Sequence, residues 1–290
     1  MKVPPGQGRH DFQSSEMLAI LLHLLPTAAY ALLAAHYWRR QNSGAALDPK
    51  PAAAQVVRLT LLAAIIVQGL ALHDDMFQGG NMRFGFSTAL AMMSWLAIAV
   101  YWIESFYARL EGLQALGLPL AALCASLPLL FPAPPLTVDA SSAAFRAHFI
   151  IAMLAYSLFT LAALHALLMA AAEKRLHRGR ISRALASLPP LLTMESLLFR
   201  LISVAFVLLT ATLVSGVLFS EELFGKVAAI SHKTVFAFIS WAIFAALLFG
   251  RHVWGWRGRK ALRWTLAGFI ALLLAYVGSQ FVTQVILGRA

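Results

Sequence analysis

Charge and cysteine are both scarce in this sequence. Only 12% of the 290 residues are charged and 60% are hydrophobic. Soluble domains average about 25% charged residues, so the composition argues against a water-soluble globule. The chain has one cysteine, Cys124, set inside an apolar segment. A single thiol can form neither an intramolecular disulfide nor a CxxC redox pair; here it reads as a small buried apolar residue. The sequence also has no phosphate-binding loop, no HExxH motif, no mid-span run of acidic residues and no evident carboxylate pair. These absences argue against an ATP-driven pump and an ordinary hydrolase.

What fills the chain instead is a series of apolar runs, each long enough to cross a bilayer. They predict an all-α polytopic membrane bundle of about eight transmembrane helices in a single domain, over 17–37, 56–72, 84–107, 113–131, 148–172, 191–219, 232–249 and 264–287. Pro119 and Pro128 interrupt the fourth span, which neighbouring helices can tolerate by satisfying the freed carbonyls. Residues 1–16 form a short N-terminal segment without a strongly basic start, so the run after it is expected to be a retained span.

The net charge of +11 could suggest nucleic acid, but Lys and Arg fall mostly in alternate short loops. The loops after spans one, five and seven are basic. Those after spans two and six carry Asp74, Asp75, Glu221 and Glu222. Membrane topology therefore explains the charge, with a lipid bilayer as partner and no nucleic acid. The positive-inside rule puts the basic loops in the cytoplasm and both termini outside. His73, His148 and His232 then fall at the outer face.

The remaining histidines read differently. His10, His36, His177 and His252 lie in loops or beside basic anchors. His23 is expected to make an interhelical hydrogen bond or to line an outer cavity. His165 follows His148 by seventeen residues on one helix, about 25 Å along the axis, so the two cannot share a ligand atom. It reads as structural, as do Glu195 and Arg200.

His148 and His232 each open a predicted helix on the same membrane side. Two imidazoles from different helices can clamp a heme iron from both faces. Lys233 could offset a propionate, and Phe236 and Trp241 supply apolar surface. On residue types alone, an interfacial histidine and a snorkelling lysine serve equally well.

Three local patterns add a resemblance. The first is Met194-Glu195-Ser196-Leu197-Leu198-Phe199-Arg200, followed by Ala205-Phe206, Leu209-Thr210 and Ser215-Gly216. The second is Lys233-Thr234-Val235-Phe236-Ala237-Phe238-Ile239-Ser240-Trp241. The third combines Trp256-Arg257-Gly258-Arg259, Ala267-Gly268-Phe269 and Ala275-Tyr276-Val277-Gly278-Ser279. In order and spacing they resemble the heme-handling cytochrome c assembly membrane proteins: the CcsA and CcmC branches and, more closely, the YpjD/HemX-like branch.

The likeness is best over 191–288 and weaker over 148–172. It implies heme as cofactor, with His148 matching the family's external ligand histidine. The family's WWD segment lacks its tryptophans and aspartate here, Ile230-Ser231-His232 standing in their place, and no histidine follows span eight. The expected function is thus a non-enzymatic heme-binding or heme-handling factor of cytochrome c biogenesis in the inner membrane, with other assembly proteins as partners. Cofactor-binding residues would be His148, His232, Lys233, Phe236 and Trp241, with His148 and His232 on the metal. The alternative is a cofactor-free transporter or regulatory partner subunit on the same bundle.

Overall fold

Inside a bilayer no water satisfies backbone N–H and C=O groups, so a spanning segment must satisfy them internally. The computed structural model answers that demand with helices. It describes residues 7–42, 51–77, 82–107, 111–136, 140, 142–177, 190–218 and 232–288. The loop residues Glu221, Glu222, Ile230 and Ser231 lie outside that set.

Among the described residues, eight helices are long and apolar enough to cross a membrane. They are α1 (Gln7–Asn42), α2 (Pro51–Phe77), α3 (Phe86–Glu104), α4 (Glu111–Leu130), α5 (Ala143–His177), α6 (Leu191–Leu218), α7 (His232–Trp254) and α8, which begins at Gly258–Leu273. α8 continues to Ile286 through two five-residue π-helical stretches, Leu274–Gly278 and Val282–Ile286. Among the described residues there is no strand, only an isolated bridge between Arg83 and Pro135.

Most helices outrun the apolar stretches that predict them. α2 starts at Pro51 instead of 56, and α5 runs from Ala143 to His177 instead of 148–172. The reason is that hydropathy marks the hydrocarbon core, whereas helical hydrogen bonding continues into the wet interface. α4 is helical through both Pro119 and Pro128.

α5 is the axis of the bundle. Its most apolar window is 72% buried, against 22% for α1, α6 and α7. Phe159 at its centre stacks on Phe244 of α7 at 4.0 Å between ring centroids. α8 reaches the same place because Gly268 has no side chain: a Cβ there would lie 2.8 Å from Phe244. Ser240 closes the seam by donating to the Gly268 carbonyl at 2.9 Å.

Contacts across the helix ends divide the molecule into two poles. At one pole, Glu195 of α6 meets Arg251 at 2.6 Å and Arg257 at 2.8 Å, and Arg259 meets Glu173 at 2.8 Å. Arg58 donates to the Ser105 carbonyl. The structural reading of Glu195 thus gains partners on α7 and its following turn, while Arg200 is exposed. The other pole carries His23, His73, His148 and His232. Here Phe84 donates to the Pro134 carbonyl and Leu136 to that of Met82, and Gln284 at the end of α8 approaches the Phe86 amide at 3.4 Å.

Candidate functional site

At the histidine pole His148 of α5 faces α6. This residue lies in the second turn of α5 and is half-buried. Its Nδ1 sits 2.8 Å from the Ser215 hydroxyl oxygen on α6. The same hydroxyl lies 3.0 Å from the Thr212 carbonyl. When its one proton goes to Thr212, His148 Nδ1–H is the donor and the lone pair of the neutral ring rests on Nε2. This is the way a metal-binding histidine is normally oriented, by a hydrogen bond at its other nitrogen. Gly216 follows directly, and a Cβ there would lie 3.5 Å from His148 Cε1.

An aromatic chain leads from His148 to Lys233. Phe149 meets Phe84 edge-on at 4.9 Å, Phe84 meets Tyr276 of α8 at 5.6 Å, and Lys233 Nζ stands 5.6 Å from the Tyr276 ring centroid. The ammonium is thereby held toward the site by a cation–π contact. His232 and Lys233 are both exposed at the start of α7, and Phe236 is half-buried one turn deeper.

Trp241 is placed differently. Its indole N–H donates to Thr210 at 3.0 Å, and its ring stacks on Phe206 at 5.6 Å, closing the α6–α7 seam. At 100° per residue, His232 and Phe236 share one side of α7, whereas Trp241 is about half a turn round from His232. The structure therefore groups His232 with Phe236, and Trp241 with α6.

The other sequence-selected histidines fall elsewhere. His165 is fully buried and bonds the Leu161 carbonyl of its own helix at 2.9 Å. His73 is exposed and packs on Phe77. His23 makes the expected interhelical bond, its Nδ1 lying 3.2 Å from the Ala125 carbonyl of α4.

Ser215, Thr210, Phe206 and Tyr276 were not among the residues selected as ligands, although each lies within a motif that carried the resemblance. Their ordinary types gave no chemical signal. Phe84 and Phe149 lay outside those motifs. His148, Lys233 and the Phe84, Phe149 and Tyr276 rings are the imidazole, cation and aromatic groups gathered at this pole.

Comparison with known proteins bears on the same region. The chain is 32% identical over 139 residues to the inner membrane protein YpjD of Escherichia coli K12, covering 48% of this chain and 52% of that protein. It is 30% identical over 217 residues to an uncharacterised 28.8 kDa protein of Azospirillum brasilense, covering 72% and 79%. A cytochrome c biogenesis protein CcsA from Gloeobacter violaceus is 33% identical over 92 residues, 32% of this chain and 27% of that protein. The match thus spans about half the length of YpjD. The family model described as cytochrome C assembly protein matches residues 53–287, from the third residue of α2 through the end of α8 but not α1. The chain belongs to the cytochrome c assembly protein family.

Proposed function

We propose that the chain is a non-catalytic heme-binding or heme-handling protein of cytochrome c assembly. It sits in the inner membrane with both termini and the histidine pole outside. The observation that supports this reading is the placement of His148: it stands half-buried at the start of α5 with Nδ1 2.8 Å from the Ser215 hydroxyl of α6, in a chain of the cytochrome c assembly family.

Bound heme offers iron to imidazole nitrogens and propionates to cations. His148 would hold the metal on one face and His232 on the other. Lys233 would meet a propionate. Phe236 would lie against the ring, while Trp241 braces the α6–α7 wall. The basic pole, with Arg251, Arg257 and Arg259, faces the cytoplasm under the positive-inside rule, leaving the histidines on the side where cytochromes c mature. Other assembly proteins are the expected partners.

The test is the oxidised and reduced visible spectrum of protein purified from heme-replete cells in mild detergent. A Soret band weakened in both His148→Ala and His232→Ala is the expected result. A band lost only in His148→Ala discards His232 as ligand. No band after adding heme moves the reading to a cofactor-free transporter or partner subunit.

A further inference from the structure

α1 precedes the residues that match the family, and its attachment to the bundle contains an unusual polar contact. His23 lies in the apolar part of α1 with only 3% of its side chain exposed. Its two ring nitrogens face two different acceptors on two other helices. Nε2 is 2.8 Å from Asp75 Oδ2 at the end of α2, and Nδ1 is 3.2 Å from the Ala125 carbonyl of α4. A neutral imidazole has one N–H and can serve only one of them. Asp75 Oδ2 is itself buried and, among the described residues, has no hydrogen-bond partner besides this close contact. Serving both contacts requires one more proton on the His23–Asp75 pair, and of the two groups the imidazole is the stronger base.

From this we infer that His23 and Asp75 form a proton-binding site, an imidazolium held against a carboxylate, and that the bound proton clamps α1 onto α2 and α4. The proton comes from water: Asp75 is 25% exposed, so the carboxylate is the entrance and the imidazole the buried receiver. The groups that act on the ring are Asp75 and Asp74 of α2 and the Ala125 carbonyl of α4; the neighbouring Cys124 thiol turns to Ser94 of α3, and His73 is exposed and packs on Phe77. α1's own Thr27 hydroxyl donates to the His23 carbonyl at 2.8 Å, leaving the ring itself to the other two helices.

When the proton leaves, one ring nitrogen and an acceptor oxygen face each other lone pair to lone pair. A buried polar pair without its hydrogen is costly in an apolar setting. The contact then becomes repulsive, and α1 loosens from the two helices it joins. The site therefore makes the seating of α1 depend on the acidity of the compartment at the histidine pole. This inference is independent of heme.

The test uses the full chain in detergent micelles with 15N-labelled histidine, at about pH 7.5, one unit above the ordinary imidazole value. One histidine should show both ring nitrogens protonated while exposed histidines are neutral. That signal should vanish in His23→Gln and become a neutral ring in Asp75→Asn. Amide exchange over residues 20–30, referred to α5 of the same sample, should rise about tenfold in Asp75→Asn, as for a locally opened helix. If His23→Gln does not fold, Asp75→Asn makes the assignment alone. Absence of a doubly protonated ring in the wild type, or its survival in Asp75→Asn, overturns the proton site. Loss of the signal with unchanged exchange in α1 overturns the clamp.

Discussion

A serine and a glycine border His148. The Ser215 hydroxyl lies 2.8 Å from Nδ1, and a Cβ on Gly216 would stand 3.5 Å from Cε1. Gly216→Ala places its Cβ at ordinary contact distance and should leave heme absorbance near wild type. Gly216→Leu should lower it by at least about half, because a branched side chain must cross the imidazole edge; Soret intensity per mole of protein reads both. Gly268 is a stricter case. Gly268→Ala would press a Cβ against Phe244 at 2.8 Å and Ile243 at 3.1 Å, where Phe244 is already locked on Phe159. A loss of about 1–3 kcal/mol is expected from overpacking, seen as a lower midpoint in thermal unfolding of the detergent-solubilised protein. Neither role was legible beforehand, since a glycine in a spanning helix reads the same whether it faces lipid, an aromatic ring or a ligand.

Between elements, the strongest polar tie is the Glu195 carboxylate, shared by Arg251 and Arg257. Arg251 also lies 4.6 Å from the Phe199 ring, one turn beyond Glu195 on α6. This cluster pins the start of α6 to the end of α7 at the basic pole, opposite the histidines. Glu195→Ala should lower the unfolding midpoint, and the cycle with Arg251→Ala should show a coupling on the order of 1 kcal/mol. Glu195→Gln, which keeps an acceptor, should lose less than Glu195→Ala. Heme absorbance should be retained in both where the protein folds, because the cluster is at the far end of α6 from Ser215. The partners could not be read from the sequence: Glu195 and Arg251 are far apart along the chain, and only the antiparallel packing of α6 and α7 brings them together.

For the whole molecule, the open question of sidedness has a direct measurement. A reporter active only outside the cytoplasm should give signal when inserted at Pro135 and none when inserted beside Lys260, where Arg257, Arg259 and Arg263 share the basic pole. A cytoplasmic signal at Pro135 would reverse the topology and put His148 on the wrong side for the proposed role. The two poles themselves do not depend on that outcome. They follow from helix ends that touch: α5 with α6 through His148 and Ser215, α7 with α8 through Lys233 and Tyr276, and α1 with α4 through His23 and Ala125.

Hydropathy alone determined that this is a helical membrane protein and that eight helices among the described residues are long and apolar enough to span. The physics is local to each segment: a run of apolar residues must satisfy its own backbone in lipid, whatever its neighbours do. The motif order in the last third was sufficient to indicate the family. Pairing was a different matter. Whether His148 meets Ser215, whether Trp241 faces a ligand or Phe206, and whether His23 finds a carboxylate depend on helix rotation and on which helices are adjacent. Those are set by side-chain packing summed over the bundle, with α5 at its centre, and no single stretch of sequence contains them. Only the tertiary structure decided that Trp241 packs on Phe206 and Thr210 of α6, and that Asp75, noted for its charge after span two, lies against a buried histidine.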